Sequence, residues 1–225
     1  MDTFGIIDTM LARPYLFTGG ESLSALRYFL GGYNFCRMEK GEFDGSEARF
    51  SLLPLDWQLF TDLVRNSLPR EFTEGREGEW STLLMDYYGD GEGYRMFRHF
   101  YENFRHTVIR GYKRLIPDEE QLAHYRERCR FVMDTTTEEE RSTGAFISFY
   151  EQPEAVYLAE LSCGGWVLAV EDKDEVAQKC AIFRTEDDAE AMVQSYFGKE
   201  LSWFGVTGVE ELSFRKPVRL EQQLR

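Results

Sequence analysis

Residues 156–161 (VYLAEL) and 166–170 (WVLAV), joined through Cys163-Gly164-Gly165, decide the fold class of this chain. Both runs are short and rich in β-branched and aromatic residues, which favours strands over helices. Glycine adopts the positive φ angles that tight hairpin turns require, so a Gly-Gly turn between two such runs predicts a β-hairpin. The sequence therefore predicts an antiparallel sheet built around this hairpin.

The sheet is predicted to continue on both sides of the hairpin. Residues 145–150 (AFISFY) and 179–184 (KCAIFR) have the same strand-like composition. Thr185 is a good helix N-cap, and the helix that it opens has apolar residues at helical spacing and ends at Gly198. One more short strand is predicted around residues 212–214. The C-terminal part is therefore predicted to be a small antiparallel sheet with a packed helix.

The N-terminal part has helical periodicity instead. Apolar residues recur every three to four positions, which predicts helices over residues 1–12, 23–38, 54–66, 80–88, 92–109 and 118–133. Ser22 is expected to cap the second of these helices. The strongest stripe belongs to the helix over 92–109 and is predicted to be core: Tyr94, Phe97, Phe100, Tyr101, Phe104 and Val108.

The two patterns are separated by residues 134–144 (DTTTEEERSTG), which are almost entirely polar and are predicted to be a linker or a long connection. We therefore predict an α+β fold with two domains. The first is an N-terminal helical bundle over residues 1–139. The second, over residues 140–225, is a small antiparallel sheet with a packed helix.

The composition restricts the possible function classes. The chain has 225 residues, of which 43% are hydrophobic, so it is long and apolar enough to form a folded core. Its 40 acidic and 26 basic residues give a net charge of −14, which disfavours nucleic acid as a partner because phosphates would be repelled. The N-terminus does not resemble a signal peptide, and no apolar stretch approaches the roughly 20 residues of a membrane span. We therefore expect a cytoplasmic protein with no membrane partner.

The residues that most often carry chemistry do not form a recognisable site. Cys–His catalysis and metal binding both need particular spacings, and the cysteines are scattered. His99 and His106 could share a helix face, but no third ligand stands at a usable spacing. We therefore expect no catalytic residue, no metal and no cofactor, and we expect reduced thiols at all four cysteines: Cys36, Cys129, Cys163 and Cys180.

A nucleotide site is not predicted either. Residues 13–19 (RPYLFTG) are similar to the R-P-x-M-Y-x-G segment of gyrase-type ATPases. The helix that follows lacks the arrangement of an acidic residue and a metal-binding asparagine that those enzymes need. The glycines of Asp90-Gly91-Glu92-Gly93 are also one position out of register with a phosphate-binding loop.

Residues 13–33 (RPYLFTGGESLSALRYFLGGY) resemble the opening of a bacterial family of small helical proteins found near polymorphic-toxin and contact-dependent-inhibition loci. The family pattern is R-P-x-M-Y-x-G-x-x-S-L-x-x-L-x-x-F-x-x-G-Y, and Leu16 and Phe17 replace its Met and Tyr. An aromatic helix, the G-x-W segment Gly78-Glu79-Trp80, an acid-rich turn and a Phe-rich helix follow, so the resemblance covers about residues 1–106. The family-motif residues are Arg13, Pro14, Gly19, Ser22, Gly32 and Tyr33.

The resemblance implies an immunity protein, which binds a cognate toxin and blocks it without catalysis. Many toxins of such systems are basic nucleases, and an acidic chain would be steered electrostatically towards a basic toxin domain. The contact is expected on the acidic loops or beside the predicted hairpin. The candidate partner-binding residues are Trp166, Glu171, Asp172, Asp174 and Glu175.

Two other functions stay open on the sequence. The chain could be an enzyme with an unrecognised site, or a regulatory protein that binds a small ligand or peptide where its two parts meet near residue 140. A deep pocket with convergent polar groups would favour the enzyme, and an aromatic-lined cleft at the junction would favour the regulatory protein. The oligomeric state is not predicted.

Overall fold

The computed structural model of the chain describes residues 3–39, 56–135, 153–171, 177–198 and 200–207. The fold is α+β, as predicted, because helices come first and an antiparallel sheet follows. The chain divides into two compact units, Met1–His106 and Thr107–Arg225.

The first unit contains seven helices in its described residues. The long predicted helices are confirmed, while two four-residue helices, α2 and α5, were not predicted. In chain order the helices are α1 (Thr3–Ala12), α2 (Pro14–Phe17), α3 (Leu23–Glu39), α4 (Asp56–Ser67), α5 (Arg70–Thr73), α6 (Trp80–Tyr88) and α7 (Asp90–Arg105).

The aromatic stripe of α7 lies in the core of the first unit, as predicted. Its five ring-bearing residues are all buried. The ring of Phe60, on α4, meets the rings of Trp80, Phe97 and Phe104 in edge-on pairs whose centroids are 5.9, 5.7 and 5.6 Å apart. Aromatic quadrupoles favour this arrangement, so the pairs add to the free energy gained by burial alone.

Gly93 lies where α7 passes closest to its neighbours. A Cβ atom at this position would be 2.9 Å from Leu23 Cδ2 on α3 and 3.2 Å from the carbonyl oxygen of Leu84 on α6. Both distances are shorter than an ordinary van der Waals contact, so glycine is the residue that permits this packing. Gly91, in the same helical turn, has no neighbour within 4 Å of its Cβ position in the part of the chain that the structure describes.

The second unit contains a five-stranded antiparallel sheet in its described residues, with strand order β4-β3-β2-β1-β5. The strands are β1 (Ile109–Leu115), β2 (Ala155–Leu161), β3 (Trp166–Glu171), β4 (Ala177–Phe183) and β5 (Phe204–Thr207). Two helices, α8 (Glu119–Thr135) and α9 (Glu186–Phe197), pack with one face of the sheet. The core between them is formed by buried side chains of the sheet and both helices: Leu115, Tyr125, Val156, Leu158, Leu168, Val170, Ala189, Val193, Tyr196 and Phe197.

The predicted hairpin and helix caps of this unit are confirmed. Gly164 and Gly165 turn the chain between β2 and β3 with φ angles of +99° and +87°. A Cβ at Gly165 would also be 2.7 Å from the carbonyl oxygen of Phe183 on β4, so space as well as φ requires glycine. Thr185 caps α9 by accepting a hydrogen bond from the backbone N–H of Asp188 at 3.1 Å, and α9 ends before Gly198.

The prediction for residues 92–115 differs from the structure. The predicted helix over 92–109 ends at Arg105, and strand β1 begins at Ile109. β1 pairs with β2 on one side and β5 on the other, and these two ladders outweigh the local helical pattern. The units consequently divide after His106, not at the predicted boundary after residue 139. The predicted strands over 145–150 and around 212–214 lie outside the described residues.

Replacing Gly93 with alanine is expected to lower the free energy of unfolding by about 1–3 kcal/mol, because the added methyl group forces the buried Leu23 side chain or the α6 backbone to move. Gly91→Ala is the matched control in the same helical turn. It should be neutral or stabilise the protein by up to about 1 kcal/mol, because alanine is the better helix former and has room there. Urea denaturation followed by circular dichroism measures both variants, and equal stabilities would contradict the close approach at Gly93.

Candidate functional site

Exposed apolar side chains are concentrated at the N-terminal end of the first unit. Seven large apolar side chains are exposed among the described residues, and four of them lie on α2 and α3. Tyr15 and Tyr28 are each 80% exposed. We call the four residues the N-terminal aromatic surface: Tyr15, Leu16, Tyr28 and Phe35.

The periodicity of α3 places Tyr28 and Phe35 on its outer side. Leu23, Leu26 and Leu30 are buried and face the core of the unit. Tyr28 and Phe35 are seven residues apart, so they lie on one face of the helix, away from the buried leucines. Burial of one side of α3 thus directs two aromatic side chains towards solvent.

Local contacts hold α2 beside α3. The Thr18 hydroxyl lies within hydrogen-bond distance of the carbonyl oxygens of Pro14, at 2.9 Å, and Gly20, at 2.7 Å. The rings of Phe17 and Phe29 meet edge-on with their centroids 5.6 Å apart. These contacts order the turn between the helices, so that Tyr15 and Leu16 extend from a fixed backbone.

Gly32 lies between Tyr28 and Phe35 along α3 and has no role in the fold that the described residues explain. The helix continues through it without a break. It is exposed, and a Cβ there would meet no atom of the described residues within 4 Å. A glycine inside a helix costs about 1 kcal/mol relative to alanine. Its effect here is to leave a flat strip of helix backbone between two exposed rings.

The remaining family-motif residues have mainly structural positions. Pro14 begins α2, and Gly19 adopts a φ of +70° in the turn before α3. The Ser22 hydroxyl caps α3 by accepting a hydrogen bond from the backbone N–H of Ala25 at 3.2 Å, as predicted. Arg13, which precedes α2, is exposed, and Tyr33, on α3, is half-buried.

The Asp90-Gly91-Glu92-Gly93 segment forms the first turn of α7, and Asp90 caps α3. The backbone N–H of Ser24 donates to Asp90 Oδ1 at 2.8 Å. This hydrogen bond lowers the pKa of the Asp90 carboxyl, with weaker help from the hydroxyls of Ser22 and Ser24. Asp90 therefore satisfies a free amide group at the start of α3.

The predicted partner-binding residues do not form a common exposed surface among the described residues. Glu171 is only 4% exposed, and its Oε2 atom accepts a hydrogen bond from the buried hydroxyl of Tyr157. This burial leaves Glu171 little surface for an electrostatic contact, and its role in partner binding stays a prediction. Trp166 is partly buried against the core of the second unit. The other three residues lie outside the described part of the chain: Asp172, Asp174 and Glu175.

Lys113 is a residue that sequence analysis did not single out. Little of its side chain is exposed, and its ammonium group forms ion pairs with Glu186, at 2.6 Å, and Glu190 on α9. The same Nζ atom lies 4.9 Å from the ring centroid of Trp203 and 5.9 Å from that of Trp166. These partners fasten β1 to α9. No periodic pattern could have predicted the cluster, because its members are brought together from distant segments.

The acidic segment before α6 is exposed, as expected for a solvated charge run. Arg65 shapes it by donating from Nη2 to the carbonyl oxygen of Gly78 at 3.0 Å, and Arg76 forms an ion pair with Asp86 at 2.9 Å. We call its four exposed glutamates the acidic loop: Glu71, Glu74, Glu77 and Glu79. A second exposed acidic group lies at the start of α8: Asp118, Glu119 and Glu120.

The thiols of Cys129 and Cys163 are poorly suited to nucleophilic chemistry. Burial raises the pKa of the Cys129 and Cys163 thiols, so both stay protonated at neutral pH. Cys36 is exposed.

Groups of three or more His, Cys, Asp or Glu side chains arranged to hold a metal ion do not occur in the part of the chain that the structure describes. Among these residues, no helix has the length and apolar character needed to cross a bilayer.

No protein-family model matches the chain, and no curated protein or solved structure is significantly similar to it.

The Asp90 cap is expected to make stability depend on pH. Because the folded state lowers the pKa of Asp90, its contribution is present above the unfolded pKa of about 3.9 and is lost as the pH falls through the lower folded pKa. Asp90→Ala should reduce the free energy of unfolding at neutral pH by about 1 kcal/mol or less, since the group is well solvated.

Urea denaturation between neutral and strongly acidic pH measures this effect. The stability difference between wild type and Asp90→Ala should shrink below about pH 4, where the carboxylate becomes protonated. A difference that stays constant across this range would show that the charge of Asp90 does not contribute to the cap.

Proposed function

We propose that this chain is a non-catalytic binding protein, a bacterial immunity protein that neutralises a cognate toxin in the cytoplasm by direct contact. The observation that carries the proposal is the N-terminal aromatic surface. It lies within residues 13–36, which overlap the stretch that resembles the family of toxin-associated proteins.

The energetics of exposed aromatic side chains support a protein partner. Complete burial of one large apolar side chain contributes about 1.5–3 kcal/mol. Tyrosine is also enriched among the residues that dominate binding free energies, because it buries much area with few rotatable bonds. Tyr28 and Phe35 would supply such contacts, and Gly32 between them would let a partner approach the α3 backbone closely.

The charge of the chain supports a basic partner. The net charge is −14, and the acidic loop is exposed in the same unit as the N-terminal aromatic surface. Long-range attraction between an acidic and a basic protein increases the association rate more than it increases the affinity. In the proposed complex, charge brings the partners together and the aromatic side chains hold them.

The direct test uses the purified product of a toxin gene encoded beside this one. We expect a complex, and we expect coexpression of this chain to relieve the toxicity. Tyr28→Ala and Phe35→Ala should each weaken binding by about 2 kcal/mol, or roughly thirtyfold, if these residues are central contacts. Isothermal titration calorimetry measures the affinities.

Phe204→Ala is the matched control, because this aromatic residue is 61% exposed but belongs to the second unit. It should leave the affinity unchanged. An equal loss for all three variants would contradict the assignment to the N-terminal aromatic surface. Failure of every product encoded at the locus to bind at micromolar concentration would contradict the proposed function itself.

The electrostatic part of the proposal predicts a separate kinetic effect. A variant with all four acidic-loop glutamates changed to glutamine should associate more slowly with a basic toxin domain, while its dissociation rate stays nearly the same. The wild-type association rate should fall as salt is added and should approach that of the variant. Surface plasmon resonance at increasing salt measures both rates, and an association rate that does not respond to salt would refute the steering.

A further inference from the structure

A small cleft opens between α3 and α6 in the first unit. Its volume is about 160 Å³, similar to the roughly 150 Å³ of a cavity that holds one benzene molecule. A ligand of about six heavy atoms would therefore fill it. Its walls combine apolar and hydrogen-bonding side chains: Leu23, Ser24, Arg27, Tyr28, Ser81 and Met85.

Ser81 is the residue that marks this cleft as a binding site. It is only 2% exposed, and its Oγ atom has no hydrogen-bond partner among the described residues. Ser67, on α4, shows the ordinary alternative, because its hydroxyl donates to the carbonyl oxygen of Leu63 at 2.8 Å. A buried hydroxyl without a partner destabilises the folded state, since its hydrogen bonds to water are lost and not replaced. A ligand in the cleft would supply the missing partner.

The other polar groups of the cleft determine the chemistry of that ligand. Arg27 is exposed and forms no ion pair with any described residue. The Ser24 hydroxyl is already within hydrogen-bond distance of Ser22 Oγ, at 3.1 Å. The carboxylate of Asp90, which accepts a hydrogen bond from the Ser24 backbone N–H, is compensated by the amide groups at the start of α3. The groups left for a ligand are the Ser81 and Tyr28 hydroxyls, which can each donate or accept a hydrogen bond, and the guanidinium of Arg27. The positive charge of Arg27 is what selects an anionic oxygen acceptor.

We propose that the cleft binds a short aliphatic monocarboxylate. The carboxylate accepts hydrogen bonds from the Arg27 guanidinium and the Ser81 hydroxyl, and the alkyl chain packs against Leu23 and Met85. A planar carboxylate matches the fork of an arginine, and the cleft volume of about 160 Å³ fits a short alkyl chain. The cleft shares Tyr28 with the N-terminal aromatic surface, but Ser81 and Arg27, which bind the carboxylate, are not part of that surface.

Titration of the ¹⁵N-labelled full chain with sodium butyrate tests the proposal, with sodium chloride added to the reference sample to match ionic strength. We expect saturable shifts of the amide signals of Ser24, Ser81 and Met85. Ser81→Ala and Arg27→Gln should each weaken binding about tenfold or more, because each removes a hydrogen bond to a charged group. Butanol, which has the same chain without the charge, should not saturate the site.

The controls are Ser67→Ala and Arg95→Gln, which change the same residue types outside the cleft and should bind butyrate like wild type. Ser81→Ala should also be at least as stable as wild type in the absence of ligand, because it removes an unpaired buried hydroxyl. Absence of saturable shifts at millimolar butyrate, or equal losses in the control variants, would overturn the proposal. A clear loss of stability in Ser81→Ala would do so too, since the hydroxyl would then be part of the fold. None of these outcomes depends on whether a toxin binds.

Discussion

The close packing of α7 against α3 and α6 is the constraint on which the first unit depends. The aromatic stripe of α7 must be buried, and Gly93 lets the helix approach both neighbours closely enough to bury it. The first residue of α7, Asp90, at the same time caps the start of α3. The first turn of α7 thus sets both how closely α3 approaches α7 and where the start of α3 lies. Because the inner side of α3 is held in the core, its outer side presents Tyr28 and Phe35 to solvent.

Some polar and aromatic side chains of the described residues have partners within the protein, whereas others are exposed or buried without a partner. In the second unit, Lys113 has two carboxylate partners and two tryptophan neighbours, and Glu171 has the Tyr157 hydroxyl. Such groups stabilise or specify the fold and have little capacity left for a partner. Tyr28 and the Ser81 hydroxyl differ, because the first exposes apolar area and the second is buried without a partner. Both features lower the stability of the folded state. Because proteins are only marginally stable, residues that lower stability in this way are the best candidates for a functional role.

Two proposals follow from these two kinds of unsatisfied group, and they concern adjacent parts of α3. The outer aromatic face fits a protein partner, whereas the cleft between α3 and α6 fits one small anionic ligand. Tyr28 is part of the N-terminal aromatic surface and also lines the cleft. A ligand in the cleft would therefore lie beside the proposed toxin contact. The Ser81→Ala variant tests ligand binding separately from toxin binding, because it alters the cleft alone.

Much of the fold follows from local patterns in the sequence. The periodicity of α7 identified its buried face, the Gly164-Gly165 turn identified the β2–β3 hairpin, and Ser22 and Thr185 identified the starts of two helices. These features depend on residues that are close in the chain, so the physics that creates them is visible in short windows. Strand β1 was missed because its pairing with β2 and β5 involves residues tens of positions away, and the boundary between the units moved with it.

The candidate sites depended on tertiary structure to a greater degree. The sequence alone determined the fold class, the acidic charge and the aromatic content of residues 13–36. It could not show that Glu171 is buried, that Asp90 caps a helix more than sixty residues earlier in the chain, or that Ser81 lines a cleft with Arg27. Burial and hydrogen bonding between distant segments exist only once the chain has folded. The tertiary structure therefore decided which polar and aromatic side chains have partners within the protein and which are available to bind a ligand or another protein.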